Sequence, residues 1–302
     1  MWVKSAMGSV GLYLFGERLK GRFVAGSTLQ EAVDKAKFFK SRGERAVINI
    51  LGEHAKDNDE ANKVCRQILE LIALLKKEGL TEVNIAEKPS QLGLGVSKEL
   101  YRRNKFLILS AAQEYLPRAF VETDAEDHLY RKQVLEVALH FNAGGFTNQL
   151  LACQLNRRQS LEEIKLLQYA GIPVRICKGA YPGDIKEEKK LRVMFLGLAG
   201  ASLVRGQWTA FGTHDLFLID YIAKNFAEYK NKFEFELLMG MEENLPRESH
   251  LHGYAFRRYI PCDPFGQWRA YGKRRAEALL RIWLRNFLYR ATAYLLINKR
   301  AD

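Results

Sequence analysis

The stretch Arg175-Ile176-Cys177-Lys178-Gly179-Ala180-Tyr181 ends a short apolar run with two cations, a glycine and a tyrosine. The run from Ile172 to Cys177 is short and partly β-branched, which predicts a buried parallel strand. α/β folds build their functional sites from residues at the carboxyl ends of such strands. One segment of this kind is only suggestive, so the fold depends on whether the pattern recurs along the chain.

The pattern recurs eight times. Apolar or β-branched runs typical of strands are Ala46–Leu51, Val83–Ala86, Ala119–Thr123, Phe146–Cys153, Ile172–Cys177, Gln207–Phe211, Phe233–Leu238 and Tyr254–Ile260. Segments of helical period alternate with them: Ala61–Lys76, Ser97–Tyr115, Tyr130–Phe141, Ser160–Tyr169, Lys189–Val204, Leu216–Ala227, Leu245–His252 and Gln267–Leu288. Strict alternation requires parallel strands with right-handed crossovers. Eight units over roughly 240 residues therefore predict an α/β protein with a (β/α)8 TIM-like barrel.

Residues 1–45 precede the first predicted strand. Ser27-Thr28-Leu29-Gln30-Glu31 has the pattern of a helix N-cap and predicts a helix over Leu29–Ser41. We interpret 1–45 as an N-terminal helical extension packed on the barrel, and 46–302 as the barrel itself. The helix at Gln267–Leu288 follows the eighth strand, and we expect it to cover the barrel mouth.

Composition is that of a globular protein, with 302 residues, 47% of them hydrophobic and 27% charged. One large domain or two smaller ones fit this length. Lys and Arg exceed Asp and Glu by 47 to 35, a formal net charge of +12. Such an excess is most often a solvated surface; alternatively it serves an anionic partner, such as cofactor phosphates, an acidic substrate or an anionic membrane face.

The four cysteines lie far apart without a CxxC spacing, which argues against a disulfide framework or a zinc site and suits a reducing compartment. The first fifteen residues lack the pattern of a signal peptide. No run reaches the roughly 18 apolar residues of a spanning helix. We therefore expect a cytoplasmic protein, soluble or peripheral on the inner face of the membrane, without a metal.

Ionisable and glycine-bearing residues follow most of the predicted strands. They are Leu51–Glu53, Glu87–Gly93, Asp124–Asp127, Arg175–Tyr181, Thr213–Asp215, Glu236–Gly240 and Tyr259–Pro261. In a barrel these residues converge on one rim, where the active site lies. Any one of them alone is more often a surface or capping group, but their combination favours a catalytic site.

The last predicted helix adds a local pattern. Tyr271, Arg274 and Arg275 are spaced three and four apart, which places them on one helix face. Paired guanidinium groups have the geometry that binds a carboxylate, and the tyrosine supplies an apolar wall with a polar tip. An exposed basic face is the alternative; together with the rim, a carboxylate clamp is the better hypothesis.

Taken together, these motifs resemble the proline dehydrogenase family. They are Lys88–Gly93, Asp124–Asp127, Val174–Tyr181, Thr213–Asp215, Phe233–Gly240, Tyr259–Pro261 and Trp268–Arg275, in the family's order over roughly residues 22–288. The similarity is greatest to the short monofunctional bacterial form. It implies a (β/α)8 barrel that holds FAD and oxidises L-proline to Δ1-pyrroline-5-carboxylate by hydride transfer to the flavin N5. The electrons would pass to a membrane quinone.

The resemblance also implies residue roles. The side chains expected at the reacting centre are Lys88, Asp124 and Arg175. The residues expected to bind proline are Lys88, Ala180, Leu238, Tyr259, Tyr271, Arg274 and Arg275, with the arginine pair on the carboxylate. The residues expected to contact FAD are Asp124, Arg175, Lys178, Gly179, Ala180, Thr213, His214 and Glu236.

Two departures from the family pattern fall at expected flavin contacts. In the family pattern the fourth and seventh strands each carry a Gln at a flavin contact. This chain has Ala152 and Glu236 at those two positions. A carboxylate at Glu236 would disfavour an anionic reduced flavin. These departures keep open a flavin barrel with a lost or altered amine substrate. The methylenetetrahydrofolate reductase type is another flavin barrel, but its substrate does not require the arginine pair.

The end of the chain mixes cations with aromatics, as in a segment that lies on a membrane interface. The residues of this mixture are Trp283, Arg285, Phe287, Tyr289, Arg290 and Tyr294. A basic membrane-associated binding protein is therefore a third interpretation. No nucleic-acid motif accompanies the charge, so no nucleic-acid partner is expected. Nothing in the sequence fixes the oligomeric state.

Overall fold

The structure, a computed structural model, describes residues 20–126, 128–181 and 183–298, without the side chains of 270, 276, 277 and 293–298. Eight parallel strands pair in sequence order and close into a barrel. Their bounds are β1 Arg45–Ile50, β2 Asn84–Glu87, β3 Val121–Thr123, β4 Gln149–Gln154, β5 Val174–Cys177, β6 Thr209–Gly212, β7 Phe233–Leu238 and β8 Phe256–Cys262. The (β/α)8 barrel expected from the alternation is confirmed.

Helices surround the strands. Their bounds are α1 Leu29–Ser41, α2 Asn58–Lys77, α3 Lys98–Tyr115, α4 Arg131–Ala143, α5 Ser160–Tyr169, α6 Glu188–Val204, α7 Leu216–Asn225 and α8 Trp268–Asn298. Short 3-10 turns lie at His128–Tyr130, Ala227–Lys232, Leu245–Arg247 and Ser249–Leu251. Helices α1 and α5 have the predicted bounds, and α8 continues ten residues beyond the predicted end.

The helix predicted at Leu245–His252 is wrong. Two 3-10 turns replace it, Leu245–Arg247 and Ser249–Leu251. Leu245 and Leu251 are its buried apolar anchors, and their spacing of six does not place them on one helical face. Pro246 also removes a backbone donor from the segment.

Helix α1 begins at the predicted cap. Glu31 N donates to Thr28 Oγ1 at 3.2 Å, and the Glu31 carboxylate accepts from Thr28 N at 2.9 Å. The segment before it meets the carboxyl end of β8, because Ala25 N donates to Pro261 O. Residues 20–45 thus pack on the barrel, whereas 1–19 of the expected extension lie outside the described residues.

The barrel interior is charged. Outward-facing positions such as Ile48, Val121 and Phe235 form the apolar core under the helices. Inward-facing positions instead carry ion pairs, among them Arg257 with Glu234 at 2.5 Å. Interiors of such barrels are usually filled by branched apolar side chains. Here the polar interior leads up to the rim where the strands end.

Candidate active site

A cluster of three side chains joins the residues that follow β2 and β3 to the middle of β8. Asp124 Oδ2 accepts from Lys88 Nζ at 2.5 Å and from the Tyr259 hydroxyl at 2.5 Å. Burial alone would raise the pKa of Asp124, but Lys88 and Arg175 outweigh it and lower this pKa to about 2. Burial would lower the pKa of Lys88, yet Asp124 raises it above its usual range. Both groups are therefore ionised at neutral pH.

Arg175 lies beneath this cluster, in β5, and faces three carboxyl groups. Its Nη1 is 2.6 Å from Glu122 Oε2 and 3.1 Å from Glu236 Oε2, and its Nη2 donates to Asp124. The guanidinium carbon also lies 5.4 Å from the centre of the Tyr259 ring. Arg175 is buried and fixed from several sides, so its position is set before any ligand binds.

An apolar wall adjoins the charged cluster. Tyr259, Val47 and Ala86 pack together inside the barrel, with Leu238 against them. Tyr271 packs nearby against a second apolar group that also includes Leu238. Its buried hydroxyl has no hydrogen-bond partner among the residues that the structure describes. A buried polar atom without a partner is costly, so this hydroxyl is suited to a ligand.

The arginine pair lies on the first turns of α8. Arg274 Nη2 donates to Glu53 Oε1 at 2.7 Å, and the Tyr181 hydroxyl donates to the same oxygen at 3.2 Å. Arg275 lies over the Tyr271 ring at 5.1 Å, and its buried Nε has no hydrogen-bond partner within the described part of the chain. Both guanidinium groups are partly covered and adjoin the rim.

The start of α8 is fixed by Asp263. Its carboxylate accepts from Gln267 N at 2.6 Å and from Trp268 N at 3.2 Å. Such acceptors satisfy backbone donors that a helix leaves free at its amino end. Asp263 therefore sets where the helix that carries Arg274 and Arg275 begins.

His214 is neutral and fixed in orientation. Its Nε2 accepts from Leu238 N at 3.0 Å, and its carbonyl accepts from Asn286 of α8 at 2.9 Å. Burial and the positive charge of Arg275 lower the pKa of His214 to about 3. Thr213, its neighbour, accepts from Asp215 N at 3.1 Å.

The loop after β5 lies beside the central cluster. Lys178 is turned away from that cluster and forms ion pairs with Glu188 and Asp215. Gly179 has a φ of +128°, and a Cβ there would lie 2.3 Å from Asn156. Ala180 N donates to Gln154 Oε1 at 2.7 Å, which ties this loop to β4.

Small residues border Arg175. Ala152 and Ala210 pair with it in the sheet register, and Gly212 pairs with Cys177 and Glu236. A Cβ on Gly212 would lie 2.6 Å from Cys177 Sγ. Ala152 and Ala210 are buried, and Gly212 is half-buried at the end of β6, so the side chains next to the fixed guanidinium of Arg175 are small.

The structure thus brings together Lys88, Asp124, Arg175, Leu238, Tyr259 and Glu236, and holds Tyr271, Arg274, Arg275 and His214 at the adjoining rim. Lys178, an expected contact of FAD, points from the Lys88–Asp124 pair toward Glu188 and Asp215. The sequence placed Glu53 on the rim without a role, and it did not indicate Glu122 as a site residue. The signal for Glu122 was available, because a carboxylate between Val121 and Thr123 of a buried strand must face the barrel interior.

The last helix has an exposed apolar stripe. The members of this stripe are Leu280, Trp283, Leu284, Phe287 and Leu288. Two other residues expected at a membrane interface face the protein instead: Arg285 lies 3.7 Å from Asp215, and Tyr289 bonds Asp220. Arg290 bonds Glu248 but stays exposed. The side chain of Tyr294 lies outside the described residues.

No group of three or more His, Cys, Asp or Glu side chains among the described residues could hold a metal ion. No helix in the same part of the chain is both long and apolar enough to cross a membrane.

Comparison with known proteins gives one family. The family model described as proline dehydrogenase matches residues 32–194. Proline dehydrogenase 1 of Bacillus subtilis is 29% identical over 269 residues, which cover 86% of this chain and 87% of that protein. Proline dehydrogenase of Deinococcus radiodurans is 27% identical over 275 residues, 85% of each chain.

Solved structures share the fold. Proline utilization A from Bdellovibrio bacteriovorus, inactivated by N-propargylglycine, matches with a TM-score of 0.77 at 22% identity, over 89% of this chain. Proline utilization A from Bradyrhizobium japonicum matches with a TM-score of 0.71 at 20% identity, over 86% of this chain. The chain spans about a third of these larger proteins, 33% and 30%.

Proposed function

The chain belongs to the proline dehydrogenase family, and from this premise we propose that it oxidises L-proline to Δ1-pyrroline-5-carboxylate with a bound FAD. One observation carries the proposal: the arginine pair of α8 adjoins the same rim as the Lys88–Asp124–Tyr259 cluster, above the fixed guanidinium of Arg175. In this arrangement the arginine pair can bind a carboxylate, and Tyr259 can pack against a small ring. Arg175 supplies a positive charge near a reduced cofactor.

The substrate carboxylate would bind Arg274 and Arg275. Arg275 Nε is buried and without a hydrogen-bond partner in the described residues, so it has a donor to offer. The pyrrolidine ring would pack against Tyr259 and Leu238, with Ala180 at the loop and the Tyr271 hydroxyl at the edge. A bidentate clamp fixes orientation, and orientation supplies much of the rate in such a reaction.

The protein's charges favour a neutral substrate amine. Lys88 is held as a cation and Asp124 as an anion of low pKa, so neither is suited to remove a proton. The nearby positive charges of Lys88, Arg274 and Arg275 instead lower the pKa of an amine bound between them. The amine would then lose its proton to solvent before the carbon–hydrogen bond is broken.

FAD would lie beside Gly212, which is half-buried at the end of β6, above the buried small residues Ala152 and Ala210. When bound, it would accept the hydride from proline C5 at its N5. Arg175 would stabilise the negative charge of the reduced ring, with Asp124 holding that guanidinium. The other expected contacts are Lys178, Gly179, Ala180, Thr213, His214 and Glu236. His214 would contact the cofactor as an uncharged side chain. Lys178 would have to break its ion pairs with Glu188 and Asp215 to reach the cofactor.

The absorption spectrum of the purified protein tests this function. We expect a yellow protein that bleaches when proline is added without oxygen. A yellow protein that does not bleach would mean a flavin barrel with a lost or different amine substrate. A colourless protein that FAD cannot reconstitute would contradict the cofactor and leave only the fold.

We also propose that electrons pass to a membrane quinone and that the stripe on α8 contacts an anionic membrane on its cytoplasmic side. Trp283 and Phe287 stack at 5.5 Å and are both more than half exposed. Aromatic residues of this kind suit the lipid interface, and the net charge of +12 is attracted to anionic lipid.

Vesicle flotation with anionic lipid tests the membrane contact. We expect the double substitution Trp283→Ser and Phe287→Ser, or truncation at residue 285, to reduce binding. Tyr169→Ser is a matched control, because Tyr169 is 95% exposed on a helix away from this stripe. Equal flotation of all variants would rule out this surface.

A further inference from the structure

Two buried carboxyl groups share one guanidinium nitrogen. Glu236 Oε2 lies 3.1 Å from Arg175 Nη1, and Glu122 Oε2 lies 2.6 Å from the same atom. The other oxygen of Glu236, Oε1, is buried without a hydrogen-bond partner among the described residues. Glu236 is therefore the weaker competitor for a nitrogen that Glu122 already occupies.

The other charges around Glu236 have partners of their own. The ionisable side chains that act on it from β3, β5, β7 and β8 are Glu122, Arg175, Cys177, Glu234 and Arg257. Asp124 and Tyr259 contact the same guanidinium of Arg175. Its neighbour in β6, Gly212, adds no side chain. Arg257 bonds Glu234 at 2.5 Å, and Lys88 bonds Asp124 at 2.5 Å. Within the described part of the chain, no cation serves Glu236 alone.

An ionised carboxylate in this position would be costly. Glu236 is shielded from water, and the like charge of Glu122 shares the Arg175 nitrogen that it contacts. Its Oε1 receives no hydrogen bond from the described residues. Neutralisation by a proton removes the repulsion and turns the unpartnered oxygen into a possible donor. Consistent with this, burial and Glu122 raise the pKa of Glu236 to about 8.

We propose that Glu236 is protonated in the resting protein and that its free hydroxyl is a hydrogen-bond donor to an acceptor atom of the bound flavin, so that tight cofactor binding requires this proton. The identity of the ligand rests on the proposed function, whereas the proton on Glu236 does not. A protonated Glu236 donates a hydrogen bond to the flavin. An ionised Glu236, which the sequence alone predicts, would repel the anionic reduced flavin.

The cofactor part is tested by FAD affinity as a function of pH, measured by flavin fluorescence from about pH 6 to about pH 9.5. In the unsubstituted protein we expect the dissociation constant to rise above about pH 8, approaching tenfold per pH unit. Glu236→Gln keeps a donor and cannot ionise, so its affinity should stay nearly constant.

Glu122→Gln is the matched control on the same nitrogen. It removes the like charge, so Glu236 should ionise at lower pH and the loss of affinity should begin earlier. An unchanged pH profile in Glu236→Gln would overturn the cofactor part.

The proton itself is tested on the cofactor-free protein by infrared spectroscopy, which resolves the carbonyl stretch of a protonated carboxyl group. We expect such a band at neutral pH, its disappearance above about pH 9, and its absence in Glu236→Gln. A band that survives this substitution would overturn the proton assignment. If no FAD binds at any pH, the proposed function fails, and the infrared result still decides the state of Glu236.

Discussion

Arg274 Nη2 lies 2.7 Å from Glu53 Oε1, so the last helix is tied to the loop that follows the first strand. The two side chains are 39% and 21% exposed. An ion pair of this exposure contributes at most about 1 kcal/mol to folding. The contact therefore matters mainly for where the Arg274 guanidinium is held over the rim, next to Tyr181, which bonds the same Glu53 oxygen.

Substitution of either arginine of the pair should weaken substrate binding. Arg274→Ala and Arg275→Ala each remove one cation from the proposed carboxylate site. Loss of one partner of such a charge pair costs roughly 2–5 kcal/mol, so KM for proline should rise on the order of 30-fold or more. Steady-state kinetics with the flavin-loaded protein give the value.

Arg269→Ala serves as the control for that experiment, because Arg269 is an exposed residue on the first turn of the same helix. Its KM should stay near that of the unsubstituted protein. Equal kinetics for Arg274→Ala, Arg275→Ala and Arg269→Ala would show that the pair does not bind substrate.

The cap of α8 should couple stability to substrate binding. Asp263→Ala removes the acceptor of two backbone donors at the start of that helix, and such a loss costs about 1–2 kcal/mol of unfolding free energy. Because Arg274 and Arg275 lie within about the first two turns of α8, KM should also rise. Urea unfolding and kinetics measure the two effects separately.

Asp57 caps α2 in the same way, since its side chain accepts from Glu60 N at 2.9 Å. Asp57→Ala should lower stability by a similar amount without any change in KM. A rise in KM for both variants, or for neither, would contradict the link between the Asp263 cap and the clamp.

Local patterns in the sequence predicted the barrel well. The cap at Thr28 and Glu31 gave the start of α1, and the apolar runs placed all eight strands to within about three residues. The run at Phe146–Cys153 extended too far at its start, because Phe146 packs on Phe141 after the turn at Gly144 instead of entering β4.

The charged interior was harder to predict from sequence. Glu122 and Glu234 lie inside short strands, and their alternation with apolar residues indicates which way they face. Their partners, Arg175 and Arg257, are 53 and 23 residues away on other strands, and only the folded barrel brings them together. The same holds for Glu53, whose position after β1 was visible but whose bond to Arg274 spans 221 residues.

A buried ion pair between α3 and the strands β2 and β3 should contribute strongly to stability. Lys105 Nζ lies 2.7 Å from Glu87 Oε1 and 2.8 Å from Thr123 Oγ1, and both charged side chains are almost fully buried. Lys105→Met leaves the Glu87 carboxylate without its cation, which costs about 3–5 kcal/mol. Chemical unfolding of the purified variant measures this loss.

An exposed ion pair between α3 and α4 gives the comparison. Lys98 bonds Glu136 at 2.5 Å with both side chains about 40% exposed, so Lys98→Met should cost less than about 1 kcal/mol. Similar losses for Lys98→Met and Lys105→Met would mean that burial does not set the strength of these pairs.

The pH dependence of stability should report Glu236. Its pKa is raised from 4.5 to about 8 in the folded protein by burial and by Glu122, so the folded state binds the proton more tightly than the unfolded state. The resulting stabilisation is complete below about pH 4.5 and is lost as the pH rises through about 8, with a limiting slope of about 1.4 kcal/mol per pH unit.

Glu236→Gln cannot titrate, so its unfolding free energy should decline less steeply across this window, whereas Glu228→Gln, at an exposed carboxyl, should follow the unsubstituted protein. Urea unfolding of the cofactor-free proteins at a series of pH values measures the three profiles; if the Glu236→Gln profile runs parallel to the others, Glu236 does not hold a proton that the unfolded chain lacks.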